Sequence, residues 1–321
     1  MLTHPSNEAE APGPCTTLAH DADRHARNLT HWRQEYDQIS CGHFYGRLDE
    51  LALPQVQVFK EHTSQALRQQ CTVWPSGLWL GIPALQGEEC SRINGLAIDS
   101  NDIFCRPGGC DFELVTPVGF DIFGIVIDQQ ALNRTAAIQG IKLGDTPEQE
   151  YPRLAVPATT LATVRTLLEQ ILDHRSPPIS PQLQQEMVIL ALLELLHERT
   201  PNQRAVPSYR HRKFVVNRVK EYINAHNDAP ITMTDLCELT NVSRRTLQYS
   251  FESIVGISPM QFLRLTRLNR VRRALLFEPG ASVAETAAYW GFWHGGQFAK
   301  DYKQLFGETP SETREKARGA D

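Results

Sequence analysis

What the 321-residue chain lacks narrows its chemistry first. Its seven cysteines (Cys15, Cys41, Cys71, Cys90, Cys105, Cys110 and Cys237) include no Cys-x-x-Cys pair, and no histidines stand at zinc-finger spacing, so the thiols read as free and reduced. There is no His-x-His, which argues against a cupin-type metal enzyme, and the expected metal complement is none. The phosphate-cradling Gly-x-x-x-x-Gly-Lys and the Gly-x-Ser-x-Gly nucleophile turn are both missing, so no catalytic residue is assigned and the chain reads as a non-enzyme. No apolar run approaches the roughly 18 residues a membrane span needs, and the N-terminus has no basic segment followed by a hydrophobic one. A cytoplasmic location is the expectation.

What is present is an ordinary globular composition, 41% hydrophobic and 21% charged, long enough for two domains. The net charge of −5 conceals a division: residues 210–321 carry 17 Lys+Arg against 12 Asp+Glu, and the remainder 15 against 25. A basic C-terminal module suited to phosphates thus follows an acidic N-terminal one.

Residues 1–28 are rich in Ala, Pro, Asp and His without hydrophobic period, and a disordered lead-in is expected there. Residues 29–199 form the next unit. Val56-Gln57-Val58-Phe59-Lys60 alternates, while Thr72-Val73-Trp74, Leu78-Trp79-Leu80-Gly81-Ile82 and Ile122 to Ile127 are short apolar runs. Arg106-Pro107-Gly108-Gly109 is a turn by chemistry and leads into Phe112-Glu113-Leu114-Val115. Such strands suggest an antiparallel barrel or sandwich able to enclose a small ligand, with Trp74, Trp79, Arg106 and Glu113 as pocket candidates. Each has a plainer reading as core, brace or outer face. After Asp128 the pattern turns helical; Leu183, Met187, Leu190, Ala191 and Leu195 form a stripe that reads equally as packing on the chain's own strands or as a seam with a second copy. Residues 200–209, with two prolines, read as a linker. A helix near Arg212 to His226 then opens residues 210–321, its buried side expected at Phe214, Val215, Val219, Tyr222 and Ile223.

The most informative stretch is residues 231–312, where one plan occurs twice. A short helix at Thr232 to Leu239 is followed by a turn at Asn241-Val242-Ser243, with Ser243 as N-cap of a helix that turns Leu247 and Phe251 inward. Arg244, Arg245, Gln248 and Tyr249 are left outward. The second copy runs Ser282 to Trp290, turns at Gly291-Phe292, and continues in a helix opened by His294 with Phe298, Tyr302 and Phe306 inward. Gly295, Gly296, Gln297 and Lys300 look outward. Pro259 to Leu276 reads as one helix bridging two helix-turn-helix units. Its Arg264, Arg267, Arg270, Arg272 and Arg273 read mostly as a solvated surface, with Arg267 a candidate internal strut. The fold class is therefore α+β: a strand-rich, barrel-like sensor domain with trailing helices, then an all-α domain of two helix-turn-helix units joined by a long helix.

These residues resemble the AraC/XylS class of transcription regulators, over about the last third of the chain. The resemblance implies double-stranded DNA and RNA polymerase as partners, a homodimer, and DNA contacts from Ser243, Arg244, Arg245, Gln248, Tyr249, His294, Gly295, Gly296, Gln297 and Lys300. Cys237, Thr286 and the paired glycines depart from the usual pattern. Upstream, Gln55 to Thr63, Val73-Trp74-Pro75, Gly81-Ile82-Pro83, Arg106 to Gly109 and Phe112-Glu113-Leu114 resemble the regulators of ethanolamine operons within that class. What this implies is an activator responding to ethanolamine, with adenosylcobalamin as a second effector, although the cobalt-ligating Asp-x-His-x-x-Gly is missing. The competing reading is a constitutive or otherwise induced regulator whose N-terminal domain only dimerises or binds another molecule.

Overall fold

The computed structural model describes residues 13–84, 91–98, 101–141, 143, 153–175, 179–201, 207–226, 230–278, 280 and 282–318. In chain order the first half comprises β1 (Cys15–Ala19), α1 (Ala22–Ala26), β2 (Arg33–Gln38), β3 (Gly46–Ala52), β4 (Val56–Thr63), β5 (Leu67–Thr72), β6 (Gly77–Pro83), β7 (Arg92–Ile93), β8 (Leu96–Ala97), β9 (Asp102–Pro107), β10 (Phe112–Thr116), β11 (Phe120–Asp128) and α2 (Gln129–Ile138). Then come β12 (Arg153–Ala155), α3 (Ala158–Leu172), α4 (Pro181–Glu198), β13 (Thr200–Pro201), α5 (Pro207–Ala225), α6 (Met233–Thr240), α7 (Arg244–Ile254), α8 (Pro259–Phe277), α9 (Val283–Tyr289), α10 (Gly295–Phe306) and α11 (Pro310–Arg318).

The strands make two antiparallel sheets, ordered β1-β3-β4-β11-β6-β9-β12-β13 and β2-β5-β10-β7-β8. Each sheet keeps two edges, so the barrel-like expectation is corrected to two stacked sheets. Layering explains the apolar runs, because side chains alternate between faces. Leu78, Leu80, Ile82, Phe123, Ile125 and Ile127 meet α2, α3 and α4 on one face of the larger sheet. Trp79, Phe104, Ile122 and Val126 meet Tyr36, Leu67, Phe112 and Leu114 between the sheets. A strand covered on both sides has no polar face to show.

The lead-in expected to be disordered is structured from Cys15 onward, its first twelve residues lying outside the described ones. β1 pairs with β3, Cys15 opposite Glu50 through Ala19 opposite Gly46, and α1 is capped by Asp21, whose carboxylate accepts from the amides of Asp23 and Arg24. No period betrayed it because α1 has only five residues and is held largely by polar partners. The expected linker is also narrower than residues 200–209: β13 pairs with β12, α5 starts at Pro207, and residues 202–206 lie outside the described ones.

Two apolar assignments shift. In α4 the buried face is Val188, Ile189, Leu192, Leu193, Leu195 and Leu196, whereas Leu183 and Leu190 of the expected stripe are 48% and 39% exposed. In α5 Val215, Val216, Val219 and Ile223 are buried, and Phe214 is 58% exposed. Phe214 lies about 180° round the helix from Ile223.

Candidate nucleic-acid interface

The first helix-turn-helix unit is built by local chemistry. Thr232 and Asp235 form a reciprocal capping box at the start of α6; Asn241 ends the helix in the left-handed conformation, φ 53°; and the Ser243 hydroxyl accepts from the Thr246 amide at 3.2 Å to start α7. Leu247, Phe251 and Ile254 then enter a core shared with Val215, Val216, Val219, Leu236, Phe262 and Leu263. Burying that face exposes Arg244, Arg245, Gln248 and Tyr249. The Gln248 amide donates to Glu252 at 3.1 Å, and Arg212 lies 5.4 Å above the Tyr249 ring.

The second unit repeats the plan. Ser282 and Glu285 form its capping box, Gly291 turns the chain at φ +80°, and α10 follows with Phe298, Tyr302, Leu305 and Phe306 packed on Leu268, Val271, Leu275 and Ala287. A Cβ on Gly291 would stand 2.6 Å from the Arg267 guanidinium, so Arg267 fills the space behind the turn as the strut expected of it. His294, Gly295, Gly296, Gln297 and Lys300 are exposed. Gln297 donates to Asp301 at 2.6 Å, and Asp301 also pairs with Arg264. Trp293, not among the sequence candidates, is 64% exposed immediately before this helix; a single aromatic at a turn carries no periodic signal.

Between the units α8 contributes Phe262 and Leu263 to one core and Leu268, Val271 and Leu275 to the other. Its remaining face is not a solvated surface, which corrects the reading of Arg272 and Arg273. Arg272 Nε donates to Asp21 Oδ2 at 2.6 Å, and Arg272 also pairs with Glu308 at 2.9 Å. Arg273 donates to Asp23 and Asp37 at 2.6 Å each and lies 3.2 Å from Glu35. Beside them the Asn269 amide exchanges two 2.9 Å hydrogen bonds with the backbone of Gln38, and the Gln38 side chain donates to the carbonyl of Leu305. The outer face of the smaller sheet is thereby docked on the helix that carries both units. Burial pushes the Asp23 carboxyl up to about 7, only partly opposed by the Arg273 charge. Burial alone would also raise Asp37, but Arg68 and Arg273 together hold it below the usual carboxylate range.

The four pocket candidates do not form one site. Trp79 is 2% exposed in the core between the sheets, stacked 4.7 Å from Phe112. Trp74 is half-buried and packs by the Pro75–Gly77 turn. Glu113 lies in the smaller sheet and is already engaged: both its oxygens are 2.7 Å from Lys220 Nζ of α5, with Arg68 at 3.3 Å. Those two charges outweigh burial and keep Glu113 below the usual carboxylate range. It lines a polar cleft of about 690 Å³ between the smaller sheet and α5, together with Arg33, Glu35, Asn94, Lys213 and Asn217. Arg106 stands opposite Trp79 in the strand register. None of the residues lining the cleft is a histidine, and its central acid Glu113 is already held by Lys220 and Arg68, so its donor set does not fit ligation of the cobalt of the adenosylcobalamin implied by the sequence resemblance. Among the described residues no cluster of three or more His, Cys, Asp or Glu could hold a metal, the six described cysteines are free, and no helix is long and apolar enough to cross a membrane.

Residues 236–316 match the family model described as a helix-turn-helix domain. The chain is 40% identical over 100 residues to the "Probable thc operon regulatory protein" of Rhodococcus erythropolis, and 38% identical over 99 residues to the "XylDLEGF operon transcriptional activator 1" of Pseudomonas putida; each match covers 30% of this chain and 30% of the relative. The chain thus spans less than a third of the length of these curated relatives. Among solved structures it matches a probable AraC family transcriptional regulator from Rhodopseudomonas palustris CGA009, at 38% identity over 32% of this chain and 97% of that one, with a TM-score of 0.30. By the sequence of its helix-turn-helix region, the chain belongs to the AraC/XylS-type family of transcriptional regulators.

Proposed function

We propose that the chain is a sequence-specific, ligand-responsive regulator that lays α7 and α10 in successive major grooves of duplex DNA. One observation carries this reading. Both helices bury a complete apolar face and leave outward the side chains that bond phosphates and base edges, Arg244, Arg245 and Gln248 on one and Gln297 and Lys300 on the other, all hung on the single strut α8. Gln248 suits an adenine edge and Arg245 a guanine or a phosphate. A duplex selected from random sequence by the full chain should show two protected major grooves per protomer, about 34 Å apart. Binding that is equal for the selected and a scrambled duplex overturns the reading.

The finer reading is an activator of an ethanolamine catabolic operon. It is supported by the N-terminal residues quoted above, since the relatives named here match only the helix-turn-helix third. A reporter driven from such an operon, with ethanolamine and adenosylcobalamin supplied singly and together, tests it; output unchanged by either compound removes ethanolamine as the effector.

A further inference from the structure

Among the described residues, positive charge is buried without a paired carboxylate where the sheets meet α5. Arg106 on β9 and Arg153 on β12 are 8% and 5% exposed, and the Nε of each is buried with no acceptor among the described residues. They share a face: Arg153 stands opposite Phe104, two residues before Arg106, and Phe104 points between the sheets. Arg153 donates to the carbonyl of Ala97, and Tyr209 of α5 donates its hydroxyl to the carbonyl of Asn94 at 2.5 Å, so both reach the β7–β8 hairpin. Lys213, one turn further along α5, has its ammonium 5.9 Å from the Tyr209 ring centroid and lines the junction cleft with Asn94. Among the described residues no ion pair joins a carboxylate to Arg106, Arg153 or Lys213, and Glu113 is taken by Lys220 and Arg68. Burial lowers Lys213, and the neighbouring Arg106 charge lowers it further. Burial likewise pushes the Tyr209 hydroxyl up to about 12, which keeps it a neutral donor.

Buried guanidinium groups are normally matched by an anion, since an unpaired buried charge costs several kcal/mol. We propose that Arg106, Arg153 and Lys213, beside Tyr209, form the binding site of a small anionic effector, a carboxylate- or phosphate-bearing metabolite, shared between the sheets and the first helix of the DNA-binding region. The planar forks of the two arginines suit either oxyanion, and Lys213 also lines the neighbouring cleft. Because α5 buries Val215, Val216 and Val219 against Leu247 and Phe251 of α7, an anion drawing on Lys213 acts through α5 on the helix that carries the first recognition face. A cationic amine such as ethanolamine is repelled at this site, so a response to ethanolamine has to arise elsewhere on the chain. The inference rests on the ligand-responsive reading above and names its ligand class.

The test is calorimetric melting of the full chain titrated with potassium phosphate and, separately, succinate, at ionic strength held constant with potassium chloride. One of the two anions should raise the melting temperature saturably, by about 5 °C. Arg106→Met should remove that rise and, without anion, melt no lower than the wild type, because it deletes an uncompensated charge; Lys213→Met should weaken anion binding about tenfold or more. A silent response to both anions, or one equal in Arg106→Met, overturns the site. Duplex binding by the wild type is scored separately, so a silent melt leaves the DNA-binding reading standing.

Discussion

Asp23 should make the protein's stability depend on pH in a direction opposite to ordinary acid denaturation, and replacing it by asparagine should remove that dependence. Asp23 is buried at the junction, donated to by Arg273 at 2.6 Å, with Asp21 and Asp37 adding negative charge nearby. Its carboxyl titrates at about 7 in the folded chain against an ordinary value of 3.8. A raised carboxyl pKa means that the native state holds its proton where the unfolded chain has released it. The contribution is therefore fully present below about 3.8 and is lost as pH rises to about 7. At about 1.4 kcal/mol per pH unit, the loss over that interval is about 4 kcal/mol as an upper bound. The introduced amide keeps a carbonyl oxygen for the Arg273 N–H and carries no charge to desolvate. The stability of Asp23→Asn relative to wild type should thus climb by roughly 1 kcal/mol per unit from pH 5 to 7 and level off above. Urea unfolding of both proteins at pH 5, 6, 7 and 8 measures this directly. A difference constant across that range would refute the reasoning, and would mean that Arg273 keeps Asp23 ionised throughout.

The DNA-binding third was legible because its signals are local. Caps such as Ser243 and Ser282, the turn residues Asn241 and Gly291, and the four-residue spacing of Phe298, Tyr302 and Phe306 all act within a few positions of one another. Strands were legible for the same reason, and the layering was not. Leu78 to Ile82 reads as a buried strand whether its two faces meet a barrel interior or, as here, helices on one side and a second sheet on the other. The α4 stripe was legible in part: Leu195 is buried and Ala191 packs against the core as its spacing suggests, while Leu183 and Leu190 fit the same spacing and stay exposed and the core takes Val188 and Leu192 as well.

The junction was illegible for a different reason. Arg272 and Asp21 are 251 residues apart, and Asn269 and Gln38 are 231 apart, so nothing in either stretch announces its partner. Arginines on a helix are ordinarily solvated, and only the arrival of Asp21, Asp23 and Asp37 turns these two inward. Glu113 shows the converse. It was selected as a residue for ligand, and the same chemistry that made it attractive is already satisfied by Lys220. Arg106, singled out in the same group, pairs with no carboxylate among the described residues, which is why the ligand inference moves to it.

The remaining expectations bear on the sheets, the junction and the recognition helices. Gly124→Ala should destabilise the chain by about 1–3 kcal/mol in thermal melts, because its Cβ would fall 1.9 Å from the buried Phe59 ring; a loss under about 0.5 kcal/mol would mean that the ring yields freely. Lys220→Met should cost about 3 kcal/mol by leaving Glu113 buried with Arg68 alone. Glu113 now titrates below its ordinary value, so its contribution is present above about 4.5 and fades as pH falls; the variant's deficit should therefore shrink in acid, and a deficit that grows there contradicts the pairing. On DNA, Gln248→Ala should cost about 1–3 kcal/mol of discrimination at one base pair, after its amide leaves Glu252 for the base edge. Lys300, by contrast, is exposed on α10 with no acceptor among the described residues, the arrangement of a side chain that meets a phosphate rather than a base. Lys300→Ala should weaken selected and scrambled duplexes alike and reduce the slope of log affinity against log salt by about 1, since one fewer counterion is displaced. An unchanged slope with a loss confined to the selected duplex would reverse the assignment and make Lys300 the reader.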